Sequence, residues 1–309
     1  MNFKNLFLPY GIVIAVIIAM IVPDAGSKLN EVGVIPIFIF IIFLINGVQF
    51  KFSEILFNKK LFFAFLLTFL ISFIISPLLA FGFVKCISFP TGCALGLLVM
   101  STVPPTLSSA IVVTEQSGGN TAWSILLTIS MNLLGVLLIP FVLGTLLNTG
   151  IDFQIDPLPL LNKLILLVFI PFFIGLFTKY IFGFSKLKNM MKWLSYIPST
   201  CVILTVYVSL AISRETLLGT PLYLVPIIIV SVIFIHLFLF FIALSGSKFI
   251  KLKSPETKAI VFVSSQKTLP VAISVLAVLN DHTGQALVVC LFFHFSQLMI
   301  DSGIAGKMK

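Results

Sequence analysis

The sequence predicts an all-α polytopic membrane protein of ten transmembrane helices, arranged as two inverted five-helix repeats. Three observations predict it. Of 309 residues, 59% are apolar or aromatic and only 9% are charged, and the mean hydropathy is +1.20. A soluble domain carries about 25% charged residues, and a chain this apolar cannot cover itself with a soluble surface. The apolar runs are long and unbroken, suited to helices of ~20 residues per span, whereas a transmembrane barrel shows ~10-residue alternation. The basic residues are also segregated. With ten spans, 14 of the 19 fall in loops on one side of the membrane (Lys4; Lys51, Lys59, Lys60; Lys179, Lys186, Lys188, Lys192; Lys248, Lys251, Lys253, Lys258; Lys307, Lys309). Four fall on the other (Lys28, Lys85, Lys163, Arg214), and Lys267 falls inside a span. By the positive-inside rule both termini are cytoplasmic, in a plasma or bacterial inner membrane. The net charge of +9 is therefore explained by orientation in a lipid bilayer and needs no nucleic-acid partner.

Pro, Gly and polar punctuation sets the elements in order. Segment 7–22 is an apolar run after one lysine. Its exit at Pro23-Asp24-Ala25-Gly26 is a poor cleavage site, so it reads as a membrane helix, not a signal peptide. Segment 33–50 ends in Asn46 and Gln49. Segment 61–84 follows a lysine pair. Segment 92–116 opens on the close-packing glycines Gly92 and Gly96 and carries Pro104 and Pro105. Its Glu115, near the cytoplasmic end, reads first as an interfacial charge. In segment 120–147, Ser124 and Thr128 share a helix face, and back-bonding to the preceding turn is the plain alternative to an ion-binding role. Segments 160–182, 190–213 and 221–245 are apolar runs between loops. Segment 257–280 carries five consecutive polar residues, Ser264 to Thr268. In segment 283–304, His294 and Gln297 share a face, a pattern more often used in helix–helix hydrogen bonding than in ligation. Cys86, Cys93, Cys201 and Cys290 show no metal-ligand spacing, so no metal or disulfide is expected. No linker separates domains, so 1–309 reads as one membrane domain with repeats at about 1–150 and 155–309.

The repeat rests on two matching stretches. Residues 106–113 and 268–275 agree at five of eight positions, including Thr106/Thr268, Leu107/Leu269 and Ala110/Ala272. One copy lies in span four and the other in span nine, corresponding positions if the second half is inverted. Each lies at a helix breaker. Pro104 and Pro105 remove two N–H donors before Thr106, Ser108 and Ser109. Pro270 suits the first turn of a helix that restarts after Ser264-Ser265-Gln266-Lys267-Thr268. Unwound backbone at membrane depth survives only inside protein or along a cavity, so the two breaks are expected to cross. Half-helix N-termini there favour anions, and half-helix C-termini offer carbonyls to cations. Kinks used only for packing are the simpler reading of one break, but paired interruptions point to a transporter site.

Lys267 is the sharpest single residue. A mid-span lysine costs ~2.5–3.5 kcal/mol on insertion scales and needs a partner or a task. Three tasks compete: binding an anionic substrate, standing as a built-in cation where relatives hold an ion, and carrying protons. A snorkelling or carbonyl-bonded structural lysine is the bland alternative.

These motifs resemble the bile acid:sodium symporter family, part of solute carrier family 10, and its member 7-like branch in particular. The residues that carry the resemblance are Leu44-Ile45-Asn46-Gly47-Val48-Gln49-Phe50, Val103 to Ala110 with Gly118-Gly119-Asn120, Ser264 to Leu269, and His294. The resemblance covers essentially the whole chain. It implies core helices over 61–147 and 221–304, panel helices over 7–50 and 160–213, and alternating access. In the classical symporters it also implies sodium sites built from spans four, five and nine. Ser109 matches a sodium-ligand serine, Ser124 and Thr128 match hydroxyl ligands, and Gln266 matches the glutamine of a Glu-x-Gly-x-Gln-Asn motif. The departures matter as much. The asparagine beside the serine is Ala110, the motif's glutamate aligns with Phe262, and its last asparagine with Lys267. The site loses an anion and gains a cation, and like charges a few ångströms apart repel by several kcal/mol. Sodium is therefore not expected beside a charged Lys267, and no other cofactor is.

The expected function is secondary transport of a small organic anion, either uncoupled, proton-linked or tied to the solute. A cation/proton antiporter is the alternative, but it needs a membrane-embedded carboxylate, and none is read mid-span. A non-transporting regulator, for example of calcium entry, is another. An intramembrane enzyme is disfavoured: Ser264 or Ser265 with Lys267 makes a poorly placed dyad, and no His–Asp partner is read.

Overall fold

The computed structural model describes residues 3–49, 58–150, 155–182, 194, 196–219, 221–279 and 283–308, and among these the regular structure is helical throughout. Six stretches are long and apolar enough to cross a membrane: Lys59–Cys86, Thr121–Thr149, Pro157–Ile181, Leu224–Phe249, Ser254–Leu279 and Gly284–Lys307. Tyr10–Ile21 and Pro23–Glu31, bent by 98°, make a seventh if they form one span. Three more predicted segments hold shorter apolar helices, Val34–Gln49, Thr91–Thr102 and Tyr196–Ile212. The second of these is cut short by Pro104 and Pro105. In the third, residues 190–193 and 195 of the predicted segment lie outside the described residues.

The chain divides into two units. The first comprises Met1–Lys51, Leu158–Thr220 and Ile273–Leu287. Its helices include α1 (Phe3–Ile21), α2 (Pro23–Glu31) and α3 (Val34–Gln49). After Phe52–Pro157, which belongs to the second unit, α9 (Pro157–Leu164) leads through a π turn at Ile165–Phe169 into α10 (Ile170–Phe182). Then come α11 (Tyr196–Ile212) and the short α12 (Arg214–Leu218). The exit that the sequence marks at Pro23 is in fact a restart, because proline is pre-organised for a first helical turn. The end of α1 leaves carbonyls open, and two side chains take them: Tyr207 Oη donates to Val22 O at 2.8 Å and Arg214 Nε to Met20 O at 3.0 Å. Helix α11 packs on α1, α2 and α3, and α3 packs on α10. The α3–α10 crossing is a backbone contact. A methyl group at Gly47 would run into the carbonyl of Phe172, and one at Gly175 into that of Leu44.

The second unit comprises Phe52–Pro157, Pro221–Ala272 and Val288–Lys309. In it, α4 (Lys59–Leu70), a π turn at Ile71–Ile75 and α5 (Ser76–Cys86) run on as one span. Helices α6 (Thr91–Thr102) and α7 (Ser109–Gln116) flank the first break, followed by α8 (Thr121–Gly150) and α13 (Leu224–Phe249). Helices α14 (Ser254–Ser265) and α15 (Leu269–Leu279) flank the second break, with α15 counted in the first unit from Ile273 on, and α16 (Thr283–Lys307) follows, counted in the second unit from Val288 on. Within Ser254–Leu279, 94% of the most apolar 18-residue window is buried, against 44% or less in the other five long spans. The first half of this stretch, α14, packs against α4, α7, α8 and α13. That explains how a run of five polar residues is held there, since all of Ser264–Thr268 are buried in protein.

Candidate functional site

Helix α6 stops at Val103, which is extended (φ −70°, ψ 152°), because neither Pro104 nor Pro105 can donate to continue it. The helical partner of the Val103 carbonyl would be Leu107, which lies in neither half-helix. Helix α14 stops in the same conformation at Gln266 (φ −78°, ψ 151°). The two breaks meet: the Thr268 N–H donates to Pro104 O at 2.9 Å. From α8, Asn132 Nδ2 donates to Pro105 O at 2.9 Å. The orphan backbone groups that a broken helix exposes are thus partly satisfied by the other break and by a neighbouring span.

Lys267 sits between the half-helices and is fully buried. Its ammonium donates to Ser72 O at 2.8 Å and Val103 O at 3.1 Å. One carbonyl is freed by the proline break, and the other lies in the Ile71–Ile75 π turn, where the helix's carbonyl ladder is loosened. The backbone of Lys267 is held as firmly. Its N–H donates to Gln297 Oε1 at 2.8 Å, and Gln297 Nε2 donates back to Lys267 O at 2.6 Å. The same Nε2 lies 3.0 Å from His294 Nδ1, which therefore accepts. His294 and Gln297, read from sequence as one face, act together as a clamp on the unwound residue.

Gln266 faces the other way. Its Oε1 accepts from the hydroxyls of Thr106 at 2.6 Å and Ser109 at 2.8 Å. Its Nε2 donates to Asp301 Oδ2 at 2.7 Å. The other carboxylate oxygen, Oδ1, lies 2.9 Å from His236 Nε2, and His236 Nδ1 lies 3.2 Å from Ser265 O. His236 and Asp301 are both fully buried. This corrects two readings. The predicted segment 283–304 does carry a carboxylate that reaches the break, although Asp301 stands three residues from the segment's end. A His–Asp pair is also present. The partners are 65 residues apart in sequence, and only the packing of α13, α14 and α16 brings them together.

The remaining predicted residues are more ordinary. Ser264 Oγ donates to Thr68 Oγ1 at 3.3 Å, and Ser265 Oγ back-bonds to Val261 O at 2.8 Å. With the Lys267 ammonium on carbonyls, neither serine is placed as an activated nucleophile. Ser108 is exposed at the start of α7, with no capping bond from its side chain. Ser124 is buried and accepts from Thr114 Oγ1 at 3.3 Å, whereas Thr128 Oγ1 and Ser72 Oγ are buried without a hydrogen-bond partner. Glu115 is exposed at the end of α7, away from the cluster. Asn46 lies half-buried on α3, in the first unit.

Residues 6–309 match the SBF-like CPA transporter family. The probable sodium/metabolite cotransporter BASS4, chloroplastic, of Arabidopsis thaliana is 33% identical over 222 residues, 67% of this chain and 50% of that protein. Its namesake from Oryza sativa subsp. indica is 26% identical over 320 residues, 98% of this chain and 75% of the relative. Sodium/bile acid cotransporter 7-B of Xenopus laevis is 26% identical over 322 residues, 97% of this chain and 90% of the relative. This chain thus spans half the length of the first plant relative. Those names describe transporters, not enzymes, and they fit the resemblance carried by the two broken segments. The chain is an integral membrane protein that belongs to the SBF-like CPA transporter family.

Proposed function

We propose that this chain is a secondary transporter that moves a small organic anion by alternating access, with Lys267 as a tethered cation in place of a coupling sodium ion. The observation that carries the reading is the Lys267 ammonium resting on Ser72 O and Val103 O. A bare cation at a broken helix would seek the same carbonyls at the C-terminal, negative end of a half-helix. Once a charged lysine occupies them, a sodium ion a few ångströms away meets repulsion instead of ligands. The N-termini of α7 and α15, both opening at the breaks, supply N–H groups and positive dipole ends suited to an anion.

In this reading the six long helices, the bent pair and the three shorter apolar helices make ten spans in two inverted repeats. The helices over 7–50 and 160–213 are assigned as the panel and those over 61–147 and 221–304 as the core. Both ends of the chain lie on the cytoplasmic side of a plasma or bacterial inner membrane. Cation/proton antiport is the second reading, favoured by the buried carboxylate of Asp301.

The test is uptake of labelled organic anions into proteoliposomes with an inward sodium gradient and with choline in its place. Equal uptake in the two conditions is expected, with loss of uptake in Lys267→Met. Strong sodium dependence together with an inert Lys267→Met sinks the proposal. Sodium extrusion driven by a pH gradient selects the antiporter.

A further inference from the structure

We propose that His236 is a buried proton-binding site, with Asp301 as its counter-ion, and that its proton is the coupling ion of this transporter. The inference deepens the transport reading and rests on it for the use made of the proton. The binding site itself rests on donor and acceptor counting.

Ser265 O can only accept a hydrogen bond, so the His236 Nδ1 that faces it at 3.2 Å carries a proton. The opposite nitrogen, Nε2, lies 2.9 Å from Asp301 Oδ1. An ionised carboxylate oxygen can only accept as well. A contact of that length between two sites needs a proton in it, whether it sits on the ring or on the carboxyl. The pair thus holds one proton beyond a neutral ring and an ionised carboxylate. When that proton leaves to water, the Nε2 lone pair is turned on a carboxylate in a sealed site. The contact then opens, because an unpaired charge in the interior is costly.

The consequence reaches the crossing through one residue. Asp301 Oδ2 accepts from Gln266 Nε2 at 2.7 Å, which fixes the amide so that Oε1 points at Thr106 and Ser109. Gln266 adjoins Lys267 at the break. A carboxylate that shifts on losing His236 therefore releases the side chain that ties α14 to the start of α7. Proton occupancy and the state of the two breaks are linked by three successive hydrogen bonds.

The pair is set apart from other titrating groups. Asp301 is the group that faces His236. On the same helix as Asp301, His294 is buried and engaged by Gln297, and Cys290 is buried against Gly96 O. Lys267 is buried with its ammonium on Ser72 O and Val103 O. On the elements packed around the pair, the other titratable groups stand at helix ends: Lys59 and Lys60 on α4, Lys85 and Cys86 on α5, Lys248 on α13, Glu256 and Lys258 on α14, and Lys307 on α16.

The test is solid-state NMR of the full chain in lipid, with imidazole nitrogens labelled in histidine, across the pH range in which the protein stays folded. His282→Gln and His294→Gln assign the three rings. The expected result is a His236 ring doubly protonated on the acid side that loses one proton as pH rises, with the step displaced in Asp301→Asn. A ring that stays in one form throughout, neutral or doubly protonated, overturns the proposal and leaves a structural pair. The wild-type spectrum decides even if Asp301→Asn fails to fold. No solute is present, so a titrating ring in a protein that takes up no anion faults the transport reading alone. Anion uptake by a protein whose ring is fixed faults the proton site alone.

Discussion

Lys267 neutralises carbonyls that the fold itself has orphaned, so removing its charge exposes two buried acceptors at once. Each unsatisfied buried group costs about 1–3 kcal/mol. Lys267→Met is therefore expected to lower the melting temperature more than a same-size swap elsewhere in the core, as read by a thermal-shift measurement in detergent. Gln297 has a comparable role on the backbone, since it both accepts from and donates to Lys267. Gln297→Leu should destabilise by about 1–3 kcal/mol per lost bond, as read by the same thermal-shift measurement. Much of this cluster is legible in sequence, because a lysine, a glutamine and hydroxyls inside apolar runs have no cheap place in lipid. Gln266, Thr106 and Ser109 stand out on that ground, and so do His294 and Gln297. His236 and Asp301 do not: one is a lone histidine in a largely apolar span, the other sits near a helix end, and only tertiary packing pairs them. The Ser72 and Val103 carbonyls carry no sequence signal at all, because every residue has one.

At the scale of elements, two kinds of interruption do the positioning. Proline breaks are visible in sequence since their chemistry is fixed by the ring. The π turn at Ile71–Ile75 is not, because Ile-Ser-Phe-Ile-Ile reads as unbroken helix and the bulge arises from packing. The same contrast holds among glycines. Gly92 and Gly96 draw notice by their spacing, whereas Gly47 and Gly175, which lie on different helices, carry no such signal, although a Cβ at either would run into backbone across α3 and α10. There a Cβ meets backbone, which cannot yield as a flexible side chain does. Gly175→Ala and Gly47→Ala should each lower thermal stability by about 1–3 kcal/mol, the cost typical of overpacking. Gly82→Ala, which meets open space, should be close to neutral by the same measurement.

For the whole molecule, apolar content decides the solvent, while burial decides which helix is central. The first is compositional and so legible from residues alone. The second shows only in the structure, where the apolar heart of Ser254–Leu279 is almost wholly buried. In the proposed ten-span reading, the 14 basic residues that fall on one side predict both ends of this chain on the cytoplasmic face. Reporter fusions that fluoresce only in the cytoplasm should light at either end, and a dark reporter at one end would break the even count. The claim at the centre is that Lys267 stands where a coupling sodium ion would otherwise sit. The most direct measurement is the melting temperature of purified wild type and Lys267→Ala in sodium chloride and in choline chloride. Wild type should melt alike in both salts, whereas Lys267→Ala should melt lower and recover in sodium, as the ion takes the place beside Ser72 O and Val103 O. A wild type that sodium stabilises, with no gain of sodium response in Lys267→Ala, would contradict it.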